Sequence, residues 1–288
     1  MKRSTLPLAS WKVGGRLLEP ESRGLVMGIV NVTPDSFSDG GRFLDLEAAV
    51  EHALQLAAEG ADLLDVGGES TRPGADPVSA EEEMRRILPV LERLRDQTDV
   101  LLSADTSKAA VAEAALEAGA DVINDVTGFR DPAMIAIAAA SEAGLVVMHM
   151  QGDPGTMQQA PRYDGDVVAE VSAFLGGRLA ALQEAGIDPE RVVVDPGFGF
   201  GKTLAHNREL VLRLPEFRRL GRPLLVGVSR KSMISMLLDD PGIEVRDSPT
   251  TALTSALREQ GASLFRVHEV RPSVEALRMT EAILGATR

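Results

Sequence analysis

The chain has no cysteine, one tryptophan, one tyrosine and only 3% aromatic residues. Without thiols, disulfides, cysteine nucleophiles and cysteine-ligated zinc are excluded. With so few aromatic platforms, hydrolysis of a sugar between two carboxylates is a weak reading. Surplus positive charge is also missing. The balance of 30 Lys and Arg against 43 Asp and Glu leaves a net charge of -13, which argues against a general nucleic-acid or anionic-membrane partner. An anionic ligand would therefore need a local basic cluster. No apolar run approaches the ~20 residues that span a bilayer. The basic start, Met1-Lys-Arg, has no long apolar segment behind it, so no signal peptide is expected and a cytoplasmic enzyme is the default.

What the chain does have is eight short apolar runs, each closed by a polar cluster. Leu25 to Val30 end at Asn31, and Leu63 to Val66 at Gly67-Gly-Glu-Ser-Thr-Arg72. Val100 to Ala104 lead to Asp105, Val122-Ile123 to Asn124-Asp125, and Leu145 to Met148 to His149. Val192 to Val194 lead to Asp195, Leu224 to Val228 to Ser229-Arg-Lys231, and Leu264-Phe265 to Arg266-Val-His268. Such runs read as strands buried on both faces.

Helical stretches lie between them. Glu47 to Glu59 stops at Gly60, Ser79 to Glu82 reads as a capping box, and Pro89 is expected to interrupt the helix that follows. Further helices are expected over 109–118, 132–143, 166–185, 206–214, 250–260 and 272–284, with Ser248-Pro249 as a cap and first-turn proline. No linker or composition shift divides the series, so residues 1–288 read as one domain. The expected fold is α/β, a (β/α)8 TIM barrel, with a small N-terminal hairpin over 13–18 that turns at Gly14-Gly15 and plugs its lower end. In that architecture every polar cluster opens on one rim.

Asp105, Asn124 and Asp195 at three strand ends make an acceptor-rich pocket, suited to a flat, donor-rich heterocycle such as guanine or a pterin. Each carboxylate needs a donor to offset its burial. Arg266 and His268 share one side of the last strand and suit phosphate recognition. Arg230, Lys231 and Ser232 open a short helix at 232–238, a natural anion site. Gly197 to Thr203 misses the phosphate-binding P-loop pattern, because Pro196 stands at the first glycine position; it reads as a tight turn whose Phe198 and Phe200 form an apolar wall. For His149 a core or supporting role is as expected as a ligand role, and His206 reads as a surface or capping residue. No metal-binding histidine spacing occurs. The loops over 33–44 and 70–77 follow strand ends, where lids sit.

Several of these motifs together resemble the dihydropteroate synthases of folate biosynthesis. They are Asn31-Val-Thr-Pro-Asp-Ser-Phe-Ser-Asp-Gly-Gly41, Gly67-Gly-Glu-Ser-Thr-Arg-Pro-Gly-Ala75, Asp105-Thr-Ser-Lys108, Ile123-Asn-Asp125, Met148-His-Met-Gln-Gly152, Asp195-Pro-Gly-Phe-Gly-Phe-Gly-Lys202, Ser229-Arg-Lys-Ser232 and Arg266-Val-His268. The resemblance implies condensation of 6-hydroxymethyl-7,8-dihydropterin pyrophosphate with para-aminobenzoate. It assigns Asp105, Asn124, Asp195 and Lys231 to the pterin, Arg266 and His268 to the pyrophosphate, and Asn31 to a magnesium ion (Mg2+). Thr71, Arg72, Pro73, Phe200 and Ser232 are assigned to the aminobenzoate, and Asp35 and Phe37 to a lid. Asp105, Asp195, Lys231 and Arg266 are the expected catalytic set, and a homodimer is implied. Glu269, Ala104 and Asp153-Pro-Gly155 depart from the family pattern without removing an assigned residue. The alternatives are a pterin-dependent methyltransferase and a catalytically silent pterin-binding paralogue.

Overall fold

Each strand of the barrel sends one apolar side chain to a common floor. The structure is a computed structural model that describes residues 9–33, 42–70, 76–153, 155–240 and 246–285. A hairpin of β1 (Trp11–Val13) and β2 (Arg16–Leu18) comes first, turning through Gly14 and Gly15 at positive φ. Eight parallel strands follow: β3 (Leu25–Asn31), β4 (Leu63–Gly67), β5 (Leu101–Asp105), β6 (Val122–Asp125), β7 (Gly144–Met148), β8 (Val192–Asp195), β9 (Leu225–Val226) and β10 (Leu264–Val267). They pair in chain order from β3 to β8, β10 pairs with both β9 and β3, and a bridge between Val194 and Leu224 completes the ring. The expected barrel and hairpin are both present.

Period-two alternation sorts the strand residues into layers. Met27, Leu63, Leu101, Val122, Val146, Val193, Leu225 and Leu264 form the floor together with Trp11 and Val13 of the hairpin. Trp11 is fully buried and its indole N–H donates to the Arg191 carbonyl at 2.9 Å, so the hairpin closes the lower end as expected. A Cβ on Gly144 would stand 2.7 Å from Val13 and 2.9 Å from Trp11. That glycine opens β7 and gives the hairpin room. The intervening strand residues, such as Leu64, Leu102, Ile123, Val194 and Phe265, face the helices in the outer core.

The helices are α1 (Arg42–Ala58), α2 (Ala80–Arg95), α3 (Ala109–Glu117), α4 (Pro132–Ala140), α5 (Val167–Glu184), α6 (Leu204–Leu212), α7 (Ser232–Leu238), α8 (Asp247–Glu259) and α9 (Val270–Leu284). Several expected boundaries shift. Helix α2 continues unbroken through Pro89, because its buried stripe of Ile87, Val90, Leu91 and Leu94 outweighs one lost hydrogen bond. Ser79 caps it by accepting from Glu82 N–H at 3.2 Å, but the Glu82 side chain pairs with Arg86 instead of closing a box. The full capping box is formed by Thr203 and His206 on α6, in line with the capping reading of His206. Helix α8 starts at Asp247, with Ser248 and Pro249 inside it rather than ahead of it.

Candidate active site

Two residues above the floor, the inward side chains turn polar. Asp65 on β4, Ser103 on β5, Asn124 on β6, Asp195 on β8 and Arg266 on β10 each follow a floor residue by that interval. Asp65 is fully buried and lies at the centre of their network. It accepts from Ser103 Oγ at 2.6 Å, Asn124 Nδ2 at 3.0 Å and Arg266 Nε at 2.6 Å. Arg266 Nη2 donates to Asp105 Oδ2, also at 2.6 Å. Burial opposes the guanidinium charge, but the carboxylates of Asp65 and Asp105 hold its pKa above the ordinary value. Burial drives the Asp105 carboxyl upward, and Arg266 opposes the rise.

Asp195 accepts from the Gly197 N–H at 2.7 Å. Burial raises its carboxyl to about 6, against the pull of that N–H and of Lys231, Lys202 and Arg266. Lys231 caps α7, and burial lowers its ammonium, while Asp195 and Asp105 act to raise it. Its Nζ stands 4.0 Å from the centroid of the Phe200 ring, a cation–π distance. Phe200 belongs to a separate apolar cluster with Val126, Met148, Met150 and Met157. The mouth thus combines carboxylates and an amide on the strand ends, one ammonium, and apolar walls. A flat ring carrying several N–H groups finds acceptors at its edge and dispersion contacts on its faces.

The other expected site residues are distributed as follows. His268 Nδ1 is 2.9 Å from Ser229 Oγ, which also accepts the His268 N–H. Ser232 opens α7 and is exposed. Arg230 does not contribute free charge to an anion site. Its guanidinium is paired with Asp247 and with Glu269, both at 2.6 Å, because its positive φ of 56° turns it toward α8. Asp35, Phe37, Thr71, Arg72 and Pro73 lie outside the described residues. The root of the second loop is held by Lys108, which bridges Glu69 and the buried Glu83. A cavity of about 200 Å3 there is lined by Asp105, Glu69, Glu83, Lys108, Thr127 and Asp153, among others.

Asn31 ends β3 half-buried, and its carboxamide has no hydrogen-bond partner among the described residues. No group of three His, Cys, Asp or Glu able to hold a metal occurs among them either. A hard carboxamide oxygen at a strand end fits magnesium, which takes few protein ligands and completes its shell with water and substrate oxygens.

The barrel and its mouth define the class of pterin-binding barrels. A family model described as "Pterin binding enzyme" matches residues 27–268. The dihydropteroate synthase of Escherichia coli K12 is 50% identical over 264 residues, covering 91% of this chain and 92% of that protein. That of Synechocystis is 42% identical over 272 residues, 94% of each. Among solved structures, the Xanthomonas albilineans dihydropteroate synthase with 4-aminobenzoic acid superposes with a TM-score of 0.89 at 49% identity, covering 96% of this chain and 99% of that one. The same enzyme in complex with 7,8-dihydropteroate gives 0.84 at 44% identity, covering 96% and 98%. The chain belongs to the dihydropteroate synthase family of pterin-binding enzymes.

Three residues that shape the mouth escaped the reading of the sequence. Asp65 and Ser103 sit inside runs read as wholly apolar; counting in twos from Leu63 and Leu101 finds them. Lys202 closes the glycine-rich turn; it was read as part of a failed P-loop and of a family motif, with no role assigned to it.

Proposed function

We propose that this chain condenses 6-hydroxymethyl-7,8-dihydropterin pyrophosphate with para-aminobenzoate, giving 7,8-dihydropteroate and pyrophosphate. The observation that carries the reading is the convergence of Asp105, Asn124, Asp195 and Lys231 on one apolar-walled mouth. Asp105, Asn124 and Asp195 accept from the pterin's amino and ring N–H groups, and Lys231 donates to its acceptor edge. Arg266 keeps its Nη1 hydrogens and one on Nη2 for the pyrophosphate, since Nε and the other are on Asp65 and Asp105. The aminobenzoate is assigned to Phe200 and Ser232, with Thr71, Arg72, Pro73, Asp35 and Phe37, which lie outside the described residues, as its further expected partners.

The reaction is a substitution at the methylene carbon in which bond breaking leads. The carbon–oxygen bond to pyrophosphate breaks with its electron pair going to oxygen. Arg266 and His268 stabilise that negative charge. Asp105 and Asp195 stabilise the positive charge that spreads onto the pterin ring. The neutral arylamine nitrogen then bonds to the carbon and releases a proton to solvent, so no strong base is needed. The Asn31 carboxamide oxygen would hold a magnesium ion, which when bound neutralises charge on the departing oxygens.

Exposed apolar side chains on the outer helices, Leu212, Met236, Leu237, Leu238, Met279 and Ile283, support assembly as a homodimer. No helix among the described residues is long and apolar enough to cross a membrane, which is compatible with a cytoplasmic enzyme.

A pyrophosphate-release assay tests the reading. Release must require the pterin pyrophosphate, para-aminobenzoate and magnesium together. Pterin binding without release would point to a silent paralogue, and methyl transfer to a corrinoid would point to a methyltransferase.

A further inference from the structure

We infer that Lys202 is a positioning residue for Asp195 and Phe200, acting through the Gly197–Gly201 turn that it clamps from beneath. The inference deepens the proposed function, since it assumes that Asp195 meets the pterin and Phe200 the aminobenzoate.

Lys202 is only 3% exposed. Its ammonium donates to His149 Nδ1 at 2.9 Å, to the Gly197 carbonyl at 2.8 Å and to the Phe200 carbonyl at 3.0 Å. Its three N–H groups thus meet three short-range acceptors, with the His149 carbonyl a fourth, longer contact at 3.5 Å. An ammonium only donates, so His149 Nδ1 carries the lone pair and Nε2 the proton. Burial, Lys202 and Arg130 together push the imidazole down to about 2, so it stays a neutral acceptor.

The turn has no slack. Gly197, Gly199 and Gly201 all have positive φ. A Cβ on Gly197 would fall 1.9 Å from the His149 carbonyl oxygen, and one on Gly201 2.6 Å from that of Gln151. The backbone is pressed against the end of β7, with two of its carbonyls turned inward onto one cation. That same turn aims its other groups at the mouth. The Gly197 N–H holds Asp195 Oδ1 at 2.7 Å, and the Phe200 ring lies over Lys231 Nζ. One buried ammonium therefore sets the orientation of an acid and of an aromatic wall.

It also acts through charge. Burial lowers Lys202 to about 7, with Asp195 opposing and Lys231 assisting that shift, so near pH 6 it is a cation beside Asp195. The titratable and polar groups around it are Asp195 on the end of β8, Lys231 at the start of α7, His149 beyond β7, and His206 and Asn207 on α6. Tyr163, whose ring contacts those of His149 and His206, and Arg130 and Glu170 complete the set. Removing the Lys202 charge favours the neutral Asp195 acid and moves its titration to higher pH.

The test uses Lys202→Met, His149→Asn and His149→Leu in the full chain. Carbon-13 NMR titration of the Asp195 carboxyl, with no ligand added, should move upward by about one pH unit in Lys202→Met. Steady-state assays should show the KM for para-aminobenzoate rising on the order of tenfold in the same variant. His149→Asn, which keeps an acceptor near the Nδ1 position, should stay within about threefold of wild type, and His149→Leu should follow Lys202→Met in KM. If Lys202→Met does not fold, the two His149 variants carry the test. An unmoved Asp195 titration with an unchanged KM, or equal behaviour of His149→Asn and His149→Leu, overturns the inference. A wild-type protein that releases no pyrophosphate overturns the proposed function instead, and the ligand-free titration still decides the role of Lys202.

Discussion

Arg266 reaches past β3 to Asp65, with Nε 2.6 Å from Oδ2, tying the last barrel strand to the second. The fully buried carboxylate also holds the Asn124 amide. The residue that orients two expected ligand-binding side chains thus shares their layer, two residues above the barrel floor.

Asp65→Asn should cost about 3 kcal/mol of stability, because a buried ion pair loses one charge while Arg266 keeps its own. It should also lower kcat/KM for the pterin pyrophosphate on the order of a hundredfold through misplaced Asn124 and Arg266. Urea unfolding and steady-state kinetics measure the two effects. A variant with wild-type midpoint and kinetics would refute the orienting role.

Trp11→Ala separates stability from chemistry. The indole fills the barrel floor far from the mouth, so its loss should cost about 3–5 kcal/mol. The denaturation midpoint should fall while kcat at 25 °C stays within about twofold of wild type, because no mouth residue moves. A large fall in kcat for folded protein would show that the floor transmits strain to the site.

His149 should impose a stability loss in acid. Its folded pKa, about 2, is depressed below the ordinary 6.5 by burial first and by Lys202 and Arg130 next. The unfolded chain therefore binds the extra proton between those values, and stability falls as pH drops below about 6.5. Between pH 7 and 5 this amounts to about 2 kcal/mol. Burial-raised Asp195 works in the opposite sense between about 4 and 6, so the comparison must be with His149→Asn, which removes only the histidine contribution. The wild-type minus variant difference in unfolding free energy should shrink by that amount on acidification; a constant difference would contradict a buried neutral imidazole.

Asn31→Leu removes the oxygen expected to meet magnesium. The magnesium concentration for half-maximal pyrophosphate release should rise on the order of tenfold, equivalent to about 1.4 kcal/mol. Pterin affinity measured without metal should be unchanged. An unaltered magnesium dependence would exclude Asn31 as a ligand.

Asp105→Asn tests the charge argument for bond breaking. With both substrates saturating, kcat should fall on the order of a hundredfold, as for loss of one charge-stabilising group. Unchanged turnover would assign Asp105 to ground-state binding alone.

The strand ends were the most legible part of the chain. Runs closed by Asp105, Asn124, Asp195, Lys231 and Arg266 announced both the barrel and its rim, because parallel strands are apolar on both faces until they reach the mouth. The hairpin was legible from Gly14-Gly15. Contacts between side chains distant in sequence were not. Nothing local to Arg230 shows that Asp247 and Glu269 claim it, and nothing local to Lys202 shows three acceptors closing round it. Pro89 was misjudged for a similar reason, since the packing that keeps α2 intact comes from the barrel beneath it.

With Trp11 and Val13 stoppering the far end, traffic through the barrel has, among the described residues, one doorway. On the proposed function, a pterin seated below the aminobenzoate would have to enter first, and dihydropteroate would have to back out the way its components came in. Anything wedged at the threshold then blocks arrivals and departures alike, so compulsory order of addition would be a property of the architecture rather than of any one residue.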